Sequence, residues 1–148
     1  MHLTTKGKYA VTAVLDLALN ESRFCNVALV EVAERQKIPA PYLEQLFRNL
    51  RRAGILSSTR GPKGGFRLAR SRKDISIGEI VSAVEKRMDA TRCGGDKNCD
   101  AGSRCLAHDL WAELNNKVDK FLLSKSLDDV LVKGKESKDV RELLIFTG

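Results

Sequence analysis

Three cysteines and one histidine gather in the second half of the chain: Cys93, Cys99, Cys105 and His108, in the pattern C-x5-C-x5-C-x2-H. Three thiolates and an imidazole complete a four-coordinate set, so metal binding is the chemistry these residue types can do. Two metal chemistries fit. Structural zinc accepts such a set, but zinc sites favour paired cysteines, typically about two to four residues apart. Here five residues separate each cysteine from the next. That wider spacing suits an iron–sulfur cluster, whose ligands must surround more than one iron. Gly94, Gly95 and Gly102 give the loop freedom to wrap. The histidine would ligate as neutral imidazole, so protons compete with metal at that position. A redox-sensing thiol set without metal is the third reading. Cys25 is far from this loop and is expected to be a buried core thiol. His2 is expected at the surface.

The chain around the loop is basic. Its formal net charge is +7 over 148 residues. From Arg48 to Lys73 nine basic residues occur without an acid: Arg48, Arg51, Arg52, Arg60, Lys63, Arg67, Arg70, Arg72 and Lys73. A cationic face suits a polyanion, because each neutralised phosphate releases condensed counterions. The plain alternative is a solvated basic surface. An apolar stretch from Tyr9 to Leu19 follows Lys6 and Lys8, as in a secretion signal. Asp16 interrupts it and no small-residue cleavage pattern follows, so a cytoplasmic protein is expected. Clustered thiols in such a chain point to metal or redox roles rather than disulfides. No apolar run reaches membrane-span length.

Periodicity supplies the elements. Residues 6–20 read as a helix with Val11, Val14, Leu15 and Ala18 on one face. A second helix runs from Leu29 to Gln36, with Leu29, Val32 and Ala33 inward. After a short turn, a third starts at Pro41, which suits the first helical position. Leu43, Leu46, Phe47 and Leu50 form its stripe, and Gly54 stands where a cap glycine belongs. Ile55 to Arg60 and Phe66 to Ala69 read as strands around Gly61-Pro62-Lys63-Gly64-Gly65. Ser76 and Glu79 fit a capping box before Ile77, Ile80, Val81 and Val84. Leu106 to Leu123 reads as a long helix whose Trp111, Leu114, Val118 and Phe121 keep heptad spacing, a dimerisation seam rather than an internal one. Ser126 to Leu131 reads as a short helical turn, and residues 133–138 as linker.

The fold class expected is mainly α with a small β-hairpin: a winged helix-turn-helix plus a long dimerisation helix. The boundaries are 1–73 for DNA binding, 74–131 for the cluster loop and dimerisation helices, and 132–148 for a tail. On the third helix Tyr42, Glu44 and Gln45 are expected to read bases, and Arg48, Arg51 and Arg52 to hold phosphates. On the hairpin, Arg60 suits a minor groove, with Gly61, Lys63 and Gly64 at the tip. Thr4, Lys6 and Tyr9 add phosphate contacts at the start of the first helix. No phosphate loop and no nucleophile–base arrangement reads as a catalytic site, so no enzyme is expected. A small iron–sulfur enzyme or electron carrier is the alternative class.

Five segments carry a resemblance: Leu3-Thr4-Thr5-Lys6-Gly7-Lys8-Tyr9-Ala10-Val11, Tyr42-Leu43-Glu44-Gln45-Leu46-Phe47, Arg60-Gly61-Pro62, Asp89-Ala90-Thr91-Arg92-Cys93 and Cys105-Leu106-Ala107-His108. Through them the chain resembles the winged-helix family of bacterial iron–sulfur cluster regulators, over about residues 1–131. The resemblance implies a [2Fe-2S] cluster on Cys93, Cys99, Cys105 and His108, supplied by the iron–sulfur assembly machinery. It implies a homodimer on double-stranded promoter DNA, with crossing long helices and no membrane partner. It implies activation and repression of cluster-assembly genes, with cluster occupancy altering the DNA sites preferred. It also implies base or minor-groove contacts from Glu44, Gln45 and Arg60. Sister regulators that sense nitric oxide or iron generally lack the histidine, so His108 favours the cluster-assembly branch. Two positions depart from that branch. Pro41 replaces a serine that can bond to DNA, and Lys63 adds charge to a wing tip that is otherwise mostly glycine, which leaves the target sequence open.

Overall fold

The computed structural model describes residues 4–85 and 105–136. Five helices and one hairpin follow in order: α1 Thr5–Asn20, α2 Leu29–Gln36, α3 Ala40–Arg52, β1 Leu56–Thr59, β2 Gly65–Leu68, α4 Ile77–Val84 and α5 His108–Ser124. A further helical segment covers residues 127–136.

α1 opens at Thr4, whose hydroxyl accepts the Gly7 N–H at 3.4 Å. Its buried face is Ala10, Ala13, Val14 and Leu17, a run at helical spacing. The expected stripe is turned by one step, since Val11 and Leu15 are only half-buried. The reason is size. Alanines let α2, α3 and α4 come close, so the deepest face is the small one, not the most apolar one. Asp16 is buried on this helix and is fully engaged. Arg35 of α2 donates to both its oxygens at 2.7–3.1 Å, and Gln36 Nε2 donates at 2.7 Å. These charge-assisted bonds fasten α1 to α2.

α2 ends at Lys37, in the left-handed region with φ 55°. The helix-turn-helix turn then needs only Ile38 and Pro39 before α3. Pro41 occupies the second helical position rather than the first, where its missing N–H is still one of the unpaired four. Leu43, Leu46, Phe47 and Leu50 are all buried, as the spacing predicts. Gly54 ends the helix with φ 75°. Its N–H bonds to the Arg51 carbonyl and that of Ile55 to the Leu50 carbonyl, each at 3.0 Å. That is the paired closure in which glycine is favoured.

The two strands are antiparallel with Leu56 opposite Leu68 and Thr59 opposite Gly65. Phe66 anchors the hairpin, lying edge-on to Phe47 of α3 with ring centroids 4.9 Å apart. Val27 exchanges backbone bonds with Phe66 at 2.7 and 2.9 Å, so the α1–α2 loop forms the outer edge of the wing. A Cβ on Gly65 would meet the Val27 carbonyl oxygen at 2.6 Å. Only glycine permits this approach of backbone to backbone.

The capping box of α4 is present: Ser76 Oγ accepts the Glu79 N–H at 3.1 Å and Glu79 accepts the Ser76 N–H at 2.9 Å. Ile77, Ile80, Val81 and Val84 join the same core as α1 to α3. After α5 the chain returns to this core. Leu127 donates to the Ile75 carbonyl at 2.9 Å, and its side chain is fully buried.

Two expectations are corrected. Residues 133–136 are helical, not linker, because Leu127 and Leu131 bury one face of the segment that leads into them. Cys25 is exposed, not a core thiol. It lies in the α1–α2 loop, where its N–H donates to Ser22 Oγ at 3.1 Å and Val27 provides the core contact instead. No described helix is long and apolar enough to cross a membrane. Residues 137–148, His2 and Leu3 lie outside the described residues.

Candidate nucleic-acid interface and ligand segment

α3 carries its apolar stripe inward, so the intervening residues face out by geometry. Glu44, Gln45, Arg48 and Arg52 are exposed. Arg51 is exposed too, but its guanidinium donates to Ser58 Oγ at 3.2 Å and ties α3 to β1. Tyr42 is half-buried, edge-on to Tyr9 of α1 at 5.9 Å. This pair sets the spacing between α1 and α3, so each tyrosine packs as well as presenting a hydroxyl. Thr4, Lys6 and Tyr42 line one open recess, which brings the start of α1 beside the start of α3.

The hairpin extends the same basic surface. Arg60, Gly61 and Lys63 are exposed at its tip. The Gly64 N–H closes the turn on the Gly61 carbonyl at 2.8 Å. A Cβ on Gly64 would meet the Thr59 carbonyl oxygen at 2.3 Å, so its smallness serves the turn itself. Asn26 donates from Nδ2 to the Lys63 carbonyl at 3.3 Å and steadies the tip from the loop beside it. No spacing rule marks Asn26 in the sequence, since the contact spans 37 residues.

The basic run divides by use. Arg67 donates to the Ser22 carbonyl at 2.9 Å, Arg70 pairs with Glu79 at 3.0 Å, and Arg72 pairs with Asp128 at 3.5 Å. These three hold the fold together. Arg48, Arg52, Arg60 and Lys63 have no ion pair among the described residues. Four basic side chains without such a pair therefore lie on α3 and the wing tip.

Of the four ligand candidates, Cys93 and Cys99 lie outside the described residues. Cys105 and His108 share the first turn before α5, where the His108 N–H donates to the Cys105 carbonyl at 3.2 Å. Cys105 is half-buried, and His108 is 4% exposed. The long helix they open leaves much apolar surface uncovered. Trp111 and Phe121 are 36% and 59% exposed, with Leu110 and Leu123 also open. Leu114 and Val118 between them are half-buried. An apolar groove beside Phe121, lined by Ile77, Leu122 and Val130, continues this face.

Comparison with known proteins gives the setting. Residues 3–133 match the Rrf2 family model, described as an iron-dependent transcriptional regulator. The chain is 48% identical over 142 residues to the HTH-type transcriptional regulator IscR of Pectobacterium carotovorum, covering 96% of this chain and 85% of that protein. Its fold is similar to that of T. potens IscR, with TM-score 0.74 and 33% identity over 93% of this chain and 90% of that one. It is also similar to CymR, the global cysteine regulator of B. subtilis, with TM-score 0.71 and 27% identity over 90% of this chain and 98% of that one. These relatives are named as transcriptional regulators, not enzymes.

Proposed function

This chain belongs to the Rrf2 family of transcriptional regulators, and from that membership we propose that it is a cytoplasmic homodimer that binds promoter DNA and senses iron–sulfur cluster status through a [2Fe-2S] cluster. The ligands are Cys93, Cys99, Cys105 and His108, and the controlled genes are those of cluster assembly. The single observation that carries the cluster is Cys105 and the buried His108 on one turn at the start of α5. His108 is sheltered from solvent, as a ligand at the inner side of a held cofactor would be. When bound, the cluster supplies an iron- and redox-responsive tie between the ligand loop and α5. His108 and Cys105 would orient that tie, because a backbone bond across the turn that leads into α5 joins them.

DNA is read by Tyr42, Glu44 and Gln45, held by Arg48, Arg51 and Arg52, and gripped in the minor groove by Arg60 with Gly61, Lys63 and Gly64. Thr4, Lys6 and Tyr9 meet phosphates. The open stripe of Trp111, Leu114, Val118 and Phe121 accepts the second subunit, since apolar faces of this size are normally covered. Two subunits then address two half-sites.

The test is protein purified without oxygen, with its visible spectrum and its iron, sulfide and zinc contents measured on one sample. Broad absorption with about two irons and two sulfides per chain is expected. One zinc per chain and no colour would overturn the cluster and leave a structural staple. Gel shifts with competitor DNA then test sequence preference.

A further inference from the structure

The start of α1 is short of negative charge. Its first turn holds no acid, while Lys6 and Lys8 are both there. A helix N-terminus favours an anion. The fold brings one from elsewhere: Thr4 Oγ1 donates to Glu85 Oε2, across 81 residues. Glu85 closes α4, and its N–H bonds to the Val81 carbonyl at 3.1 Å. A carboxylate at the negative end of its own helix is badly placed locally, so its position is explained by α1 rather than by α4. Its second oxygen, Oε1, is buried and has no hydrogen-bond partner among the described residues. Leaving a buried carboxylate oxygen unpaired is costly. The side chain lines the same open recess as Thr4, Lys6 and Tyr42.

We infer that Glu85 is an affinity-setting residue of the DNA interface, its carboxylate occupying at Thr4, in the recess that Lys6 also lines, the place of a DNA phosphate. The inference rests on the reading of Thr4 and Lys6 as phosphate contacts. A hydroxyl has one proton to donate, and Thr4 gives it to Glu85. A phosphate arriving at the recess must take that donor from the carboxylate and approach a like charge. The half-satisfied carboxylate is held less firmly than a fully bonded one would be, as a displaceable competitor should be. Glu85 also stands eight positions before Cys93, at the entrance to the segment that bears the ligand cysteines.

The experiment measures binding of the full chain to a labelled random-sequence duplex of about 30 base pairs, long enough for two half-sites. Salt is varied between about 50 and 300 mM. Glu85→Gln keeps the shape and removes the charge; Glu85→Ala is the second variant. Competition predicts that E85Q binds about three- to tenfold tighter at low salt, with a salt slope steeper by up to about 0.9. In a Thr4→Val background that gain shrinks, because the contested donor is gone. If Glu85 only braces α4 against α1, both variants bind equally or more weakly with an unchanged slope, and the inference falls while wild-type DNA binding stands. A wild-type chain that binds no duplex overturns the DNA reading and this inference together. Far-UV circular dichroism on each variant separates lost binding from lost fold.

Discussion

At the residue scale, buried polar groups fix how the helices meet. Asp16 is the clearest, with its side chain 4% exposed and paired to Arg35, which is 38% exposed. Asp16→Ala leaves Gln36 and Arg35 without their acceptor. Arg35 can turn to water, so the loss stays below that of a fully buried broken pair, at about 2 kcal/mol. Urea unfolding checks it; a midpoint unchanged from wild type would mean the network adds nothing to stability. Glu79 makes a different prediction. The Ser76 N–H holds its carboxyl below the ordinary carboxylate range, and Arg70 adds to this. A depressed carboxylate contributes stability above its unfolded pKa, and that contribution is lost as pH falls through the folded one. Wild type should therefore lose this contribution on acidification below roughly pH 4.5. Glu79→Gln keeps the cap shape without the charge, so its Tm against pH should be flatter there. Parallel curves would refute the assignment.

At the element scale, the helix-turn-helix turn stores a small strain in Lys37. A non-glycine residue in the left-handed region costs about 1 kcal/mol, partly offset by the greater freedom glycine has when unfolded. Lys37→Gly should raise stability by about 0.5 kcal/mol. A loss of that size in thermal unfolding would show that the lysine side chain contributes something the backbone does not reveal. The same scale explains what the sequence made legible. α3 and α4 are readable because their periodicity agrees with a local end signal each, the Gly54 closure and the Ser76–Glu79 box, whereas α2 rests on periodicity alone. On α1 the expected face is partly right: Val14 and Ala18 are buried, while Val11 and Leu15 pack at the core's edge and Ala10, Ala13 and Leu17 complete the buried face. Cys25 and residues 133–136 went wrong for one reason. The exposure of Cys25 and the helical state of 133–136 follow from the nearby anchors Val27 and Leu127, whose backbone partners Phe66 and Ile75 are distant in sequence. At the candidate interface, exposed α3 residues follow from the stripe alone. The packing role of Tyr42, the brace from Asn26 and the carboxylate of Glu85 do not, because each depends on a contact between elements.

At the scale of the whole molecule, the fold is shared more widely than any one signal. The CymR likeness joins this architecture to a protein described as a cysteine regulator. A shared winged helix therefore does not by itself say what is sensed, and the proposed cluster is argued from the cysteine–histidine segment. The proposed dimer puts a partner on α5. The helix touches its own subunit mainly through α4, leaving Phe121 and Trp111 open. Phe121→Glu puts a charge into that seam and beside the apolar groove of Ile77, Leu122 and Val130. A charge desolvated without a partner in such a seam should weaken dimerisation by about a hundredfold or more. Sedimentation would then find a monomer at concentrations where wild type is a dimer. DNA affinity should fall with it, since one subunit addresses one half-site and forfeits the second. The helical content and the α1–α4 core should survive, because Phe121 is not part of that core. A variant that stays dimeric and binds DNA as before would remove α5 from the interface. The uncovered stripe would then need a different partner, and the two-half-site geometry would have to come from another face.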